Sequence, residues 1–211
     1  MHQNDASTYP QTGWGEALGN FFDCEIQNYA MNGCSTKSFI DLGYAQKAID
    51  ASSRGDWAII QFGHNDEKDD SLRHTDPFTT YQKNLSYFVD SFRRRGVNVI
   101  FCTSIYRRCF KDGVLEENNH GDYPRAMIEL ANKLNIDCVD LCTLTKNKFT
   151  SFGEKFTTSY FMIFGPNIYP NYPEGKLDNT HLRWEGAYLV ASMFASEIKR
   201  IDSRLSDKLR K

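Results

Sequence analysis

The sequence predicts an α/β fold, a three-layer α/β/α sandwich with a parallel sheet, on three observations. Short apolar runs alternate with amphipathic helical stretches; the clearest run, Trp57-Ala58-Ile59-Ile60-Gln61-Phe62, is almost uninterrupted by polar residues; and turn residues punctuate the boundaries. A strand apolar at successive positions is covered on both faces, as parallel strands are. The expected crossovers are right-handed, and loops leaving the carboxyl ends of the strands build the site.

In chain order, Trp14, Leu18, Phe21 and Phe22 have helical spacing. Residues 24–29 alternate like a first short strand. Ser35 or Thr36 caps a helix carrying Phe39, Ile40, Leu42, Ala45, Ala48 and Ile49. The strand 57–62 stops at Gly63-His64-Asn65-Asp66. Tyr81, Leu85, Phe88, Val89 and Phe92 share one helix face, with Gly96 as its stop. Residues 97–103 form the third strand. A charged insertion from 106 to 120 precedes a helix with Ala126, Leu130, Ala131 and Leu134 inward, and 136–141 is the fourth strand. A short helix is expected over 144–149. The aromatic stretch 152–176, rich in Gly, Pro and Asn, reads as a structured functional loop, and 184–201 as the last helix. Nothing divides the chain, so a single domain over residues 1–211 is expected.

Bulk properties exclude several classes. With 211 residues, 40% hydrophobic, 25% charged and a net charge of -2, the chain suits one well-filled globular domain. That balance gives no electrostatic case for nucleic acid or an anionic membrane, and the one dense basic run, Arg93 to Arg95, closes a helix. No apolar run approaches a membrane span, and Met1 to Asp5 carries no apolar leader. The six cysteines read as reduced thiols, which suggests a cytoplasmic setting. Cys138 and Cys142 lack a second pair at ligand spacing, so no metal is expected, and no Gly-x-Gly-x-x-Gly or phosphate loop implies a cofactor.

Chemistry concentrates in Asp178-Asn179-Thr180-His181. A carboxylate three residues before an imidazole can accept the Nδ1 proton, fix the tautomer and leave Nε2 as a base. Alone, such a pair also serves as a helix cap or surface hydrogen bond. Gly33 can offer a backbone amide at close approach, and Asn65 a side-chain amide, both suited to a developing oxyanion. Separately, each reads as a turn residue. His64 and Asp66 read as groups that tie the loop down.

In this order the pieces resemble the SGNH (GDSL-type) hydrolases, and more closely the rhamnogalacturonan acetylesterase group of carbohydrate esterases. The resemblance rests on Tyr9-Pro10-Gln11-Thr12-Gly13-Trp14-Gly15, on Asn28-Tyr29-Ala30-Met31-Asn32-Gly33-Cys34-Ser35-Thr36-Lys37-Ser38-Phe39, and on Gln61-Phe62-Gly63-His64-Asn65-Asp66. It extends through Arg107-Arg108-Cys109-Phe110, His120-Gly121-Asp122-Tyr123-Pro124, Asn171-Tyr172-Pro173-Glu174-Gly175 and Asp178-Asn179-Thr180-His181-Leu182. It implies a flavodoxin-like parallel sheet and a serine acyl-enzyme route. His181 is then the base, Asp178 its orienter, and Gly33 and Asn65 the oxyanion donors. The implied partner is an acetylated pectic polysaccharide or oligosaccharide, with Arg107, Arg108 and His120 meeting galacturonate carboxylates and Tyr169 and Tyr172 stacking on sugar.

The sequence departs from this pattern at the nucleophile, because no Gly-Asp-Ser occurs and Ser7 stands closer to Gly13 than the family's serine would. The expectation is that no nucleophile lies in the chain, that the first strand is missing, and that the sequence is an N-terminally truncated version of a longer enzyme. Cys34 also stands where relatives often carry arginine. Two other readings are a nucleophile-less carbohydrate-binding homologue or non-functional fragment, and, more distantly, a flavodoxin-like cofactor protein.

Overall fold

The structure is a computed structural model that describes residues 6–201 and 203–210; the leader reading at Met1 to Asp5 lies outside them. Two compact units emerge, each assembled from separated stretches of chain.

One unit comprises Met31–Ser104 and His120–Cys142 and contains the parallel sheet. Its strands are β1 (Trp57–Gln61), β2 (Asn98–Cys102) and β5 (Asp137–Val139), in the order β1-β2-β5. Both pairings are parallel, with Trp57 opposite Asn98, Gln61 opposite Cys102 and Ile100 opposite Asp137. Val99, Ile100, Phe101 and Cys102 are all buried, so the central strand is covered on both faces, as its unbroken apolar run requires. Helices α2 (Thr36–Asp41), α3 (Tyr44–Ala51), α4 (Gln82–Arg94) and α5 (Tyr123–Leu134) supply Phe39, Ile49, Leu85, Phe88, Met127 and Leu130 to one core with Ile60 and Phe101.

Two expectations are corrected here. Residues 24–29 form no strand: their exposure alternates, yet no ladder among the described residues includes them, and Asn28 Oδ1 instead accepts the Ala30 amide locally. The helix expected from Ser35 to Ile49 is two helices, because Gly43, at φ 77°, turns the chain between them. Ser35 does cap the first, accepting the Ser38 amide at 3.1 Å while Ser38 Oγ accepts the Ser35 amide at 2.9 Å.

The other unit comprises the stretch ending at Ala30, Ile105–Asn119, and the chain from Thr143 onward. Its core joins α1 (Trp14–Ala17) to α7 (Trp184–Arg200), with the Trp14 and Phe194 rings 5.4 Å apart and Phe22 6.0 Å from Phe194. Strands β3 (Phe110–Lys111) and β4 (Val114–Leu115) fold the charged insertion into a small hairpin. Helix α6 spans Leu141–Thr157, longer than the short helix expected, and is interrupted at Gly153. The stretch expected to be a loop contains β6 (Phe161–Phe164), paired antiparallel with β7 (Lys176–Leu182). Gly186, in the first turn of α7, is obligatory: a Cβ there would lie 2.3 Å from the Tyr160 carbonyl oxygen.

Candidate active site

The β6–β7 ladder is where the Asp178–His181 segment acquires its shape. Met162 lies opposite Asp178, but the next residue back, Phe161, lies opposite Leu182. Asn179, Thr180 and His181 are therefore extra residues bulged out of the ladder, a device that re-aims side chains. Their backbone groups find other partners. Asp178 Oδ1 accepts the amides of Thr180 at 2.9 Å and His181 at 3.0 Å, and the Arg108 amide donates to the Asn179 carbonyl at 2.8 Å. Asp178 Oδ2 remains for the imidazole, 2.7 Å from His181 Nδ1.

Burial alone would raise the Asp178 carboxyl, but the hydrogen bonds from the His181 ring, the His181 amide and the Thr180 amide outweigh it and hold the group at about 2. The carboxylate is thus ionised at neutral pH and favours a proton on Nδ1. The Asp178 side chain is 18% exposed and that of His181 40%, and Nε2 has no partner among the described residues. A shielded anion behind an accessible imidazole can orient a general base.

In the unit with the parallel sheet, Asn65 follows β1 as expected, whereas Gly33 follows no strand. The two still meet: Asn65 Nδ2 donates to the carbonyl of Cys34, next to Gly33, at 3.3 Å, and Arg73 Nη1 donates to Asn65 Oδ1 at 3.5 Å. Gly33 has φ 77° and open space where a Cβ would stand, so its requirement for glycine is conformational.

Asp66 fastens this arrangement. Its buried carboxyl accepts the Thr36 amide at 3.0 Å, the Thr36 and Thr75 hydroxyls, and the Gly63 amide at 3.2 Å. Burial pushes it up to about 6 against those hydrogen bonds. One side chain thereby holds the Asn65 loop to the amino end of α2, three residues after Gly33. His64 meets the buried His120 edge to face, with ring centroids 4.5 Å apart, and His120 Nδ1 lies 3.3 Å from Glu67 Oε2.

Three residues were expected at substrate carboxylates, and two sit otherwise. His120 and Arg108 are buried, with their polar groups directed at protein partners. Arg107 is half-buried, and its Nη1 donates to the Asn119 carbonyl at 2.6 Å. Ser7 is exposed in a turn. Tyr169 packs against Tyr9 and Phe164, and Tyr172 against Phe164, in one aromatic cluster. Among groups the sequence did not single out, Asn179 is the most consequential: the interaction that marks it, with Arg108, spans 71 residues.

An α/β fold with parallel strands and a carboxylate-oriented imidazole is hydrolase equipment. The chain belongs to the GDSL-like lipase/acylhydrolase family, ester hydrolases whose model matches residues 3–186. It is 38% identical to the rhamnogalacturonan acetylesterase RhgT of Bacillus subtilis (strain 168), over 95% of this chain and 86% of RhgT. It is 33% identical to the probable rhamnogalacturonan acetylesterase YesY of the same organism, over 94% of this chain and 88% of YesY. The crystal structure of the Bacillus subtilis protein YxiM superposes with a TM-score of 0.77 at 22% identity, covering 92% of this chain and 52% of that one, and shares the fold. No helix among the described residues is long and apolar enough to cross a membrane.

Proposed function

We propose that the protein removes acetyl groups from rhamnogalacturonan or its oligosaccharides by a serine acyl-enzyme route, with residues 1–211 working as a single SGNH-hydrolase domain. The family match runs through stretches of both units, which supports the single-domain reading. The substrate class is supported by the names of the two relatives above 30% identity. The base is supported by the one observation that carries the chemistry, the 2.7 Å contact between Asp178 and His181.

In this reading His181 Nε2 takes the proton of an attacking serine hydroxyl as that oxygen bonds to the acetyl carbonyl carbon. Asp178 stabilises the imidazolium that forms. The Gly33 amide and the Asn65 amide group donate to the tetrahedral oxyanion. Collapse breaks the bond to the sugar oxygen, which leaves with the proton from His181. A water, deprotonated by the same imidazole, then attacks the acetyl-enzyme and releases acetate. The nucleophile is assigned to no residue between Met1 and Lys211, Ser7 included. Of the three candidate carboxylate contacts, Arg107 is retained, and Tyr169 and Tyr172 are assigned to stacking on sugar. All six cysteines are free thiols, which supports a reducing, cytoplasmic setting.

The test is acetate release from acetylated rhamnogalacturonan, assayed for residues 1–211 and for the same chain with its upstream coding sequence included. Release from the extended form that disappears in His181→Ala is expected, whereas release from residues 1–211 that disappears in His181→Ala would overturn the reading that these residues hold no nucleophile. Release unaffected by that substitution would overturn the assignment, and substrate binding with no release from either form would favour the non-catalytic carbohydrate-binding reading.

A further inference from the structure

Arg108 occupies a position that the proposed chemistry does not use, although it reaches the segment carrying the base. Its backbone amide donates to the Asn179 carbonyl at 2.8 Å, and its Nη1 donates to Asn179 Oδ1 at 3.0 Å. The remaining guanidinium nitrogens are held by the end of α6. Nε donates to Thr157 Oγ1 at 3.1 Å, and Nη2 donates to the Glu154 carbonyl at 2.6 Å and to Thr158 Oγ1 at 3.2 Å. A cation suits a helix carboxyl end, where carbonyls lack intrahelical donors. The buried guanidinium thus bridges the end of α6 and Asn179.

Asn179 sits between Asp178 and His181, inside the bulge where β6 provides no opposite residue. The Thr180 and His181 amides of that bulge are satisfied by Asp178 itself, but the Asn179 carbonyl needs a donor from elsewhere, and Arg108 provides it. We propose that Arg108 is the positioning residue of the Asp178–His181 pair, acting through Asn179 by gripping both the backbone and the side chain of the bulge. The catalytic meaning of this role rests on the reading of His181 as the base. It replaces a direct substrate contact, since the buried guanidinium is committed to Asn179 and α6. A lysine cannot substitute, because a single ammonium lacks the planar fork that reaches Thr157, Asn179 and Glu154 together.

The test follows the Nδ1 proton of His181 by NMR on protein with 15N-labelled histidine, a readout independent of turnover. Arg108→Lys and Asn179→Ala are each expected to broaden or abolish that signal while the near-UV circular dichroism stays native, and the double variant is expected to go no further than either single one. Asn179→Ala removes one end of the grip without disturbing a buried charge, so it decides the matter even where Arg108→Lys fails to fold. A His181 signal unchanged in Asn179→Ala overturns the proposal, as do strictly additive effects. So does an Arg108→Lys protein whose only defect is a raised KM for galacturonate-containing substrates. Loss of the signal together with full activity of His181→Ala would retire the functional reading and leave the grip on the bulge standing.

Discussion

Asp178 divides its two oxygens between the backbone and His181: Oδ1 accepts two amides, and Oδ2 lies 2.7 Å from His181 Nδ1. An asparagine at 178 would keep its oxygen on the two amides, because an NH₂ group there would face two donors. Its NH₂ would then point at Nδ1 and drive the ring proton to Nε2, the nitrogen that has to be a base. Asp178→Asn is therefore expected to preserve the bulge and lower kcat for acetate release by roughly 10³ to 10⁴-fold, measured beside His181→Ala.

The same carboxylate links the site to acid stability. Its folded value, about 2, lies below the ordinary 3.8, so the ionised form favours the folded state. The contribution, about 2 kcal/mol, is present above pH ~4 and lost as pH falls through about 2. Urea unfolding between pH 2 and pH 5 should show that loss in the parent protein and a flatter curve in Asp178→Asn.

These outcomes separate what was legible in the residues from what was not. β2 could be read because burial on both faces demands an unbroken apolar run, β1 because Trp57 to Phe62 is apolar at nearly every position although only Ile60 is buried, and Asp178 with His181 because their interaction closes within three residues. Residues 24–29 misled because alternating exposure is necessary for a half-buried strand and insufficient without a neighbour to pair with. The full length of α6 was hidden by Lys146, Lys148 and Gly153, which break the apolar periodicity. Arg108 reads in the sequence as a contact for substrate carboxylates, because its actual partners are 46 to 71 residues away and belong to elements whose approach no local pattern reports.

Gly63 tests the scaffold of the Asn65 loop. It has φ 131°, and a Cβ there would stand 2.5 Å from Ser104 Oγ, whose hydroxyl donates to the Phe62 carbonyl at 3.1 Å. Gly63→Ala is expected to lower stability by about 3 kcal/mol, from backbone strain and overpacking together. Adding Ser104→Ala should recover only the steric part, leaving the strain, and urea midpoints of the single and double variants separate the two.

Asp66 opposes Asp178 in its pH dependence. Burial holds its folded value at about 6, above the ordinary 3.8, so the folded protein retains the proton longer than the unfolded chain. Its contribution is fully present below pH ~4 and declines by about 3 kcal/mol as pH rises through about 6. Asp66→Asn should remove that decline from urea unfolding curves measured between pH 4 and pH 7. At pH 4, where the parent carboxyl is still protonated in the fold, it should also lower stability by about 1 to 3 kcal/mol, a deficit that closes toward pH 7. Oδ1 accepts from Thr36 and Thr75 while Oδ2 accepts from Gly63, so whichever oxygen the amide replaces, an NH₂ group meets a donor. The Asn65 loop would then be tied less firmly to the α2 end that follows Gly33. Acetate release in Asp66→Asn should accordingly fall through kcat, with KM little changed. A variant with unaltered kcat and a retained pH dependence would show that the carboxyl does not fasten the loop.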